Sequence, residues 1–238
     1  AMGKKSYGAK GRLPVTRMGV AYVVRQAMVD AQEYKKSLEQ YRKKKESDPE
    51  ALPPTRDLKN EAMLKVLDRE IPVHIHCSRI DDILTAVRLR DEFNFYKLSL
   101  GHGDESWRIA DVLADKGVVV VVGPHMVVYD DDNNLVNLAK VLVDAGVEIN
   151  IMTDADVVQQ EYLRYQAATA VRYGLDPEEA LKAITINPAR LIEAEDRIGS
   201  LEPGKDADLV IFDGDPFDIQ TKVCRVLING RPVYENKQ

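Results

Sequence analysis

Cysteine is nearly missing from this chain. Cys77 and Cys224 are its only two cysteines in 238 residues. They are too few and too far apart for a disulfide framework, and both fall in β-prone runs where a buried free thiol is the ordinary state. No apolar run approaches the ~20 residues that cross a bilayer, and the basic first ten residues have no apolar stretch behind them for a secretory signal. These absences predict a cytoplasmic protein with no membrane partner. Positive charge is in deficit, with 33 Lys and Arg against 39 Asp and Glu and a net charge of −6. That speaks against nucleic acid as a partner, since phosphate contacts need clustered basic residues. The basic run Arg42 to Lys45 reads as a solvated helix end.

Several catalytic signatures are also lacking. Gly101-His102-Gly103 has no third glycine for a dinucleotide fingerprint, and no Gly-x-Ser-x-Gly elbow occurs. Asp130-Asp131-Asp132-Asn133-Asn134 is followed by Leu135 and Val141 where a calcium loop needs Gly and Glu. The acidic stretch therefore reads as a solvated turn capping the next helix. No repeat of solenoid period and no low-complexity segment is present.

What is there is a globular composition, 45% hydrophobic and 30% charged, arranged in three textures. Residues 1–70 form an N-terminal helical segment. It has a basic, Gly-rich entry loop over 1–17, a long amphipathic helix from Met18 to about Lys45, and a second helix from about Arg56 to Arg69 beyond the breaks at Pro49 and Pro53-Pro54. Residues 71–198 alternate strand and helix. The strands are Val73 to Cys77, Tyr96 to Leu100, Val118 to Val122 and Glu148 to Met152. The helices are Asp81 to Phe93, Glu105 to Lys116 and Leu135 to Ala145, with Gly117 and Gly146 as C-terminal caps. Alternation with such short connections predicts parallel βαβ units. Asp176-Pro177-Glu178-Glu179 opens a further helix with cap, first-turn proline and acidic first turn in place. Residues 199–238 switch to Gly, Pro and Asp turns between short strands, a small β appendage.

Three of those β runs end on candidate metal ligands. His74 and His76 are two apart in Pro72-Val73-His74-Ile75-His76-Cys77 and so share one face of a strand. Tyr96 to Gly101 delivers His102, and Glu148 to Thr153 delivers Asp154. The C-terminal strand edge is where (β/α) barrels do their chemistry. Two imidazoles and a carboxylate with an open position are the ligand set of a catalytic zinc site, which lowers the pKa of bound water toward ~7. Asp154 would hold the metal and take the proton. For each histidine taken singly, a hydrogen-bonded core or surface role is the plain alternative. His125, after Gly123-Pro124 at another strand end, is either a substrate-facing residue or a loop residue.

The motifs Val-His-Ile-His-Cys at 73–77, Gly-His-Gly at 101–103 and Met-Thr-Asp at 152–154 resemble the fifth, sixth and eighth strand motifs of the amidohydrolase superfamily. They are nearest to imidazolonepropionase-like and prolidase-like members. Asn187-Pro188-Ala189-Arg190-Leu191, with Arg197 to Val210, is similar to the segment by which these enzymes return from barrel to β-sandwich. The resemblance implies a C-terminal half of a (β/α)8 TIM-type barrel with part of a β-sandwich. It also implies one or two divalent ions, zinc foremost, and hydrolysis of C–N bonds in a small amide, cyclic amide or dipeptide-like substrate by metal-bound hydroxide. Matched by motif, His76, His102 and Asp154 are metal ligands and Asp154 is the proton shuttle. His102 is a ligand or a catalytic residue depending on metal number, and His74 is a neighbour. The family's first-strand His-x-His and fourth-strand ligand have no counterpart here, which predicts an incomplete chain, inactive alone, that pairs with a missing N-terminal half or with a second copy. A non-catalytic assembly piece is the alternative.

Overall fold

The computed structural model describes residues 13 to 236; most of the expected entry loop, residues 1 to 12, lies outside them. The chain divides into two compact units, the first ending at Leu98 and the second starting at Ser99.

The first unit opens with helix α1, Arg17–Ser47, capped by the Thr16 side chain, which accepts a hydrogen bond from Gly19 N–H at 3.0 Å. Val20, Met28 and Ala31 form its buried stripe, and its distal half carries the charge. Helix α2, Leu58–Leu67, starts at Asp57, whose carboxylate accepts from Asn60 N–H. Strand β1, Val73–Cys77, leads into α3, Ile80–Phe93, which ends on Asn94 in the left-handed conformation. Ion pairs fasten α1 to α3. Arg17 Nε donates to the buried Asp82 carboxylate at 3.1 Å, and Arg25 forks onto Glu92 at 2.7 to 2.9 Å. A buried carboxylate without such a partner would carry a large desolvation cost, so Arg17 is what lets Asp82 sit inside.

The second unit is built on three parallel strands: β2 (Leu98–His102, whose first residue closes the first unit), β3 (Val119–Val122) and β6 (Ile149–Ile151). Leu100 lies beside Val120 and Val120 beside Ile149, while Gly101, Val121 and Asn150 form the next row. Leu98, Leu100, Val120, Val122, Ile149 and Ile151 are buried, as expected of parallel strands packed under helices. A 3-10 turn, Ser106–Ile109, runs into α4, Ala110–Asp115, and α5 spans Leu138–Asp144. Both helices end on a glycine with positive φ, Gly117 and Gly146, and the amides of Val118 and Val147 bond back to the carbonyls of Leu113 and Leu142.

The structure departs from expectation between β3 and α5. Leu135 does not start the helix. Leu135–Asn137 is strand β5, antiparallel to β4 (Val127–Tyr129), and the acidic stretch is the tip of this hairpin. The Asp130 carboxylate accepts from the amides of Asp132 and Asn134, which closes the turn, and the Asn137 side chain caps α5 by accepting from Lys140 N–H. The capping residue is thus Asn137, not the acidic run.

Helices α6 (Leu163–Arg172), α7 (Pro177–Ile184) and α8 (Ile186–Leu191) follow, and Asp176 caps α7 through Glu178 and Glu179 N–H as its sequence predicts. Strands β7 (Leu209–Phe212), β8 (Val223–Ile228) and β9 (Arg231–Glu235) make an antiparallel sheet, with Asn229 and Gly230 at positive φ in the β8–β9 turn. Cys77 and Cys224 are free thiols.

Arg164, near the start of α6, holds the loop between β7 and β8. Its guanidinium donates to the carbonyls of Pro216, Asp218 and Thr221 and to the Tyr165 hydroxyl at 2.8 to 3.1 Å. Arg164→Leu is expected to cost about 2–3 kcal/mol by leaving those carbonyls without their charged donor. Arg164→Lys should recover little, since an ammonium cannot reproduce the fork. Denaturant midpoints of the three proteins check this.

Candidate active site

Strand β1 presents its side chains alternately. Ile75 and Cys77 are buried, while His74 is exposed and His76 half-buried on the other face. The two histidines thus share a face, as strand spacing requires. They belong to the first unit.

In the second unit the ends of β2 and β6 converge. His102 Nε2 lies 3.8 Å from Asp154 Oδ2, with side-chain exposures of 11% and 33%. Both strands pair with β3, one on each side, so at ~4.8 Å per spacing their axes stand roughly 10 Å apart. The two side chains therefore meet above the end of β3. Two backbone features bring this about. His102 has φ of 70° and Asp154 has φ of 55°, a left-handed conformation that costs a residue with a Cβ roughly 1–2 kcal/mol. Such strain gathers at functional sites because it re-aims a side chain that a regular strand would direct elsewhere. The end of β3 is then cleared by Gly123, with φ of 132°, where a Cβ would lie 2.2 Å from the Met152 carbonyl oxygen. Only glycine lets the β6 backbone pass so close on its way to Asp154.

His125 follows this glycine and is exposed at the base of the β4–β5 hairpin. Its place beyond a strand end matches the sequence reading; no contact assigns it a substrate. Sequence reasoning missed the strain at His102 and Asp154. Its only trace is that both residues stand where β-prone runs stop.

The pair suits a divalent ion. Two donors bound tetrahedrally at ~2.1 Å stand about 3.4 Å apart, close to the separation found here. Among the described residues, no group of three or more His, Cys, Asp or Glu side chains is arranged to hold a metal ion. His102 and Asp154 are therefore a pair to which further ligands would be added.

A histidine and a carboxylate meeting at the C-terminal edge of a parallel sheet is an arrangement also found where (β/α) barrels place their chemistry. Comparison with known proteins gives the family. The model described as "Amidohydrolase family" matches residues 16–233, and the chain belongs to the amidohydrolase family. It is 25% identical over 244 residues to the amidohydrolase tasK of Hapsidospora irregularis, covering 98% of this chain and 25% of that protein. It is 32% identical over 132 residues to the imidazolonepropionase of Picrophilus torridus, covering 52% of this chain and 33% of that enzyme. Among solved structures, an amidohydrolase from Thermotoga maritima MSB8 superposes with a TM-score of 0.83 at 41% identity, over 94% of this chain and 57% of that one. A prolidase complexed with N-methylphosphonate-L-proline shares the fold at TM-score 0.54 and 20% identity. The chain spans a quarter to a third of the length of these curated relatives. Family members are hydrolases and are generally metal-dependent.

Gly123→Ala is expected to destabilise the chain by about 3 kcal/mol or more, through the clash with Met152 and the unfavourable φ. By displacing the segment that leads to Asp154, it should also lower any affinity that the chain has for a divalent ion. Thermal melts and zinc titration of the same variant check both effects.

Proposed function

We propose that this chain carries the C-terminal strands, with part of the β-sandwich, of a (β/α)8-barrel hydrolase that cleaves C–N bonds of a small amide, cyclic amide or dipeptide-like substrate. The approach of His102 to Asp154 across the end of β3 is the observation that carries this reading. One or two divalent ions, zinc foremost, would be held by His102 and Asp154 with further ligands, and would supply Lewis acidity and an easily deprotonated water. Asp154, a third exposed, has a second carboxylate oxygen able to accept the proton from that water and pass it to the leaving nitrogen. His102, nearly enclosed, would steer the scissile carbonyl or complete the ligand set. His125 would touch substrate from the hairpin side.

A second reading, a non-catalytic assembly piece, draws on a different observation. Val210, Ile228, Val233 and Tyr234 of the C-terminal sheet are each at least half exposed, an apolar surface of the kind that protein partners cover.

Ligand count separates the two. With at most three protein ligands, this chain with added zinc is expected to release amine from N-acyl amino acids, dipeptides and cyclic amides no faster than its Asp154→Asn variant. A longer protein that also carries a His-x-His pair should lose about 100-fold or more on the same change. Turnover unaffected by Asp154→Asn in that longer protein would rule out the role given to Asp154, and no turnover of any of these substrates by it would rule out the hydrolase reading. Zinc-dependent turnover by the isolated chain, abolished in Asp154→Asn, would show that its own ligands suffice.

A further inference from the structure

The β4–β5 hairpin is an excursion from the C-terminal end of β3, the edge at which His102 and Asp154 meet. Its base is closed by a hydrogen bond from Leu138 N–H to the Met126 carbonyl, next to His125. Little holds it beyond that base. Each strand has three residues, and the cross-strand pair at the tip, Tyr129 and Leu135, is 67% and 47% exposed. Hairpins this short and this poorly buried open at little cost. The tip itself is stiff. The Asp130 carboxylate takes the amides of Asp132 and Asn134 and the side-chain nitrogen of Asn134, and Asn133 sits at φ of 61°.

Among the described residues, a bidentate ion pair ties that tip to the rest of its unit. Arg108 Nη1 and Nη2 donate to the two carboxylate oxygens of Asp131 at 2.9 and 2.7 Å, a bidentate fork. Arg108 lies on the 3-10 turn that begins four residues after His102, and its guanidinium rests on the Trp107 ring, 4.4 Å from the centroid. The pair thus ties the hairpin tip to the segment leading out of His102. Hydrogen bonding from Arg108 holds the Asp131 carboxyl below its usual range, so Asp131 stays charged.

We propose that the hairpin is a lid beside the candidate site, latched by Arg108 and Asp131 and hinged where it joins Met126 and Leu138. The proposal rests on reading the His102 and Asp154 edge as the site, but its test needs no turnover. An exposed ion pair shifts an opening equilibrium only modestly, so breaking it should raise the open population roughly 2- to 5-fold.

The experiment measures two rates: modification of individual histidines by diethyl pyrocarbonate, read by mass spectrometry, and amide exchange across 127–137. Arg108→Gln and Asp131→Asn should each speed His102 modification and hairpin exchange by that factor, and the charge-reversed pair Arg108→Asp with Asp131→Arg should restore wild-type rates. His74, exposed on β1 in the other unit, is the control. Raising salt on the wild type should mimic the single variants without any substitution. Unchanged His102 and hairpin rates in the single variants and at high salt would overturn the latch, as would equal acceleration at His74, which marks general loosening. Absence of hydrolysis in the preceding comparison would leave these rates as they are, so the two ideas fail separately.

Discussion

The site depends on the register of β2 and β6 against the strand between them. β3 pairs with each in parallel, Leu100 beside Val120 and Val120 beside Ile149, and this sets how far each neighbour runs before it ends. His102 falls in the row of Val122 and Ile151, and Asp154 lies three residues beyond that row, where its positive φ goes with a carboxylate 3.8 Å from His102 Nε2. A slip of one residue on either side would turn every side chain of that strand to the opposite face and lift one partner out of reach. The valine run of β3, with Val119, Val120 and Val122 buried, pins that register through packing. Its terminal glycine clears the ground on which the two side chains meet.

The backbone at this edge is strained. Two residues with side chains occupy the left-handed region there, where glycine would be cheaper. Asn150, in the middle of β6, is buried with both side-chain polar atoms outside any hydrogen bond among the described residues, a further cost. At the ends of α4 and α5 the same conformation falls to glycine instead. Gly117 and Gly146 take the positive φ there, and carbonyls three to five residues back accept the freed amides. Asn94, at the end of α3, takes the same conformation with a side chain, and it is the residue type that tolerates it best after glycine.

Much of this was legible in the residues. Strand spacing placed His74 and His76 on one face, valine content marked β3 as doubly covered, and Asp176-Pro177 announced the start of α7. The motifs around His102 and Asp154 pointed to the family before any fold was in view. The hairpin was not legible. Leu135, Val136 and the residues after Asn137 carry a continuous apolar period, and only the tertiary placement of Asp130 and Asn137 divides it into strand and helix. Nor was the backbone strain: His and Asp enter positive φ more readily than most residues with a side chain, but the local sequence does not mark which of them do. His76 was legible as a strand residue, but spacing along one chain says nothing of how a residue in one compact unit meets residues in another.

The central claim is that His102 and Asp154 form a metal-binding pair. Anomalous scattering at the zinc absorption edge, from crystals of this chain grown with zinc, tests it most directly. A peak within about 2.0–2.2 Å of both His102 Nε2 and Asp154 Oδ2, lost in Asp154→Asn, is the predicted result. Zinc bound elsewhere with that pair bare, or a peak that persists unchanged in Asp154→Asn, would contradict it.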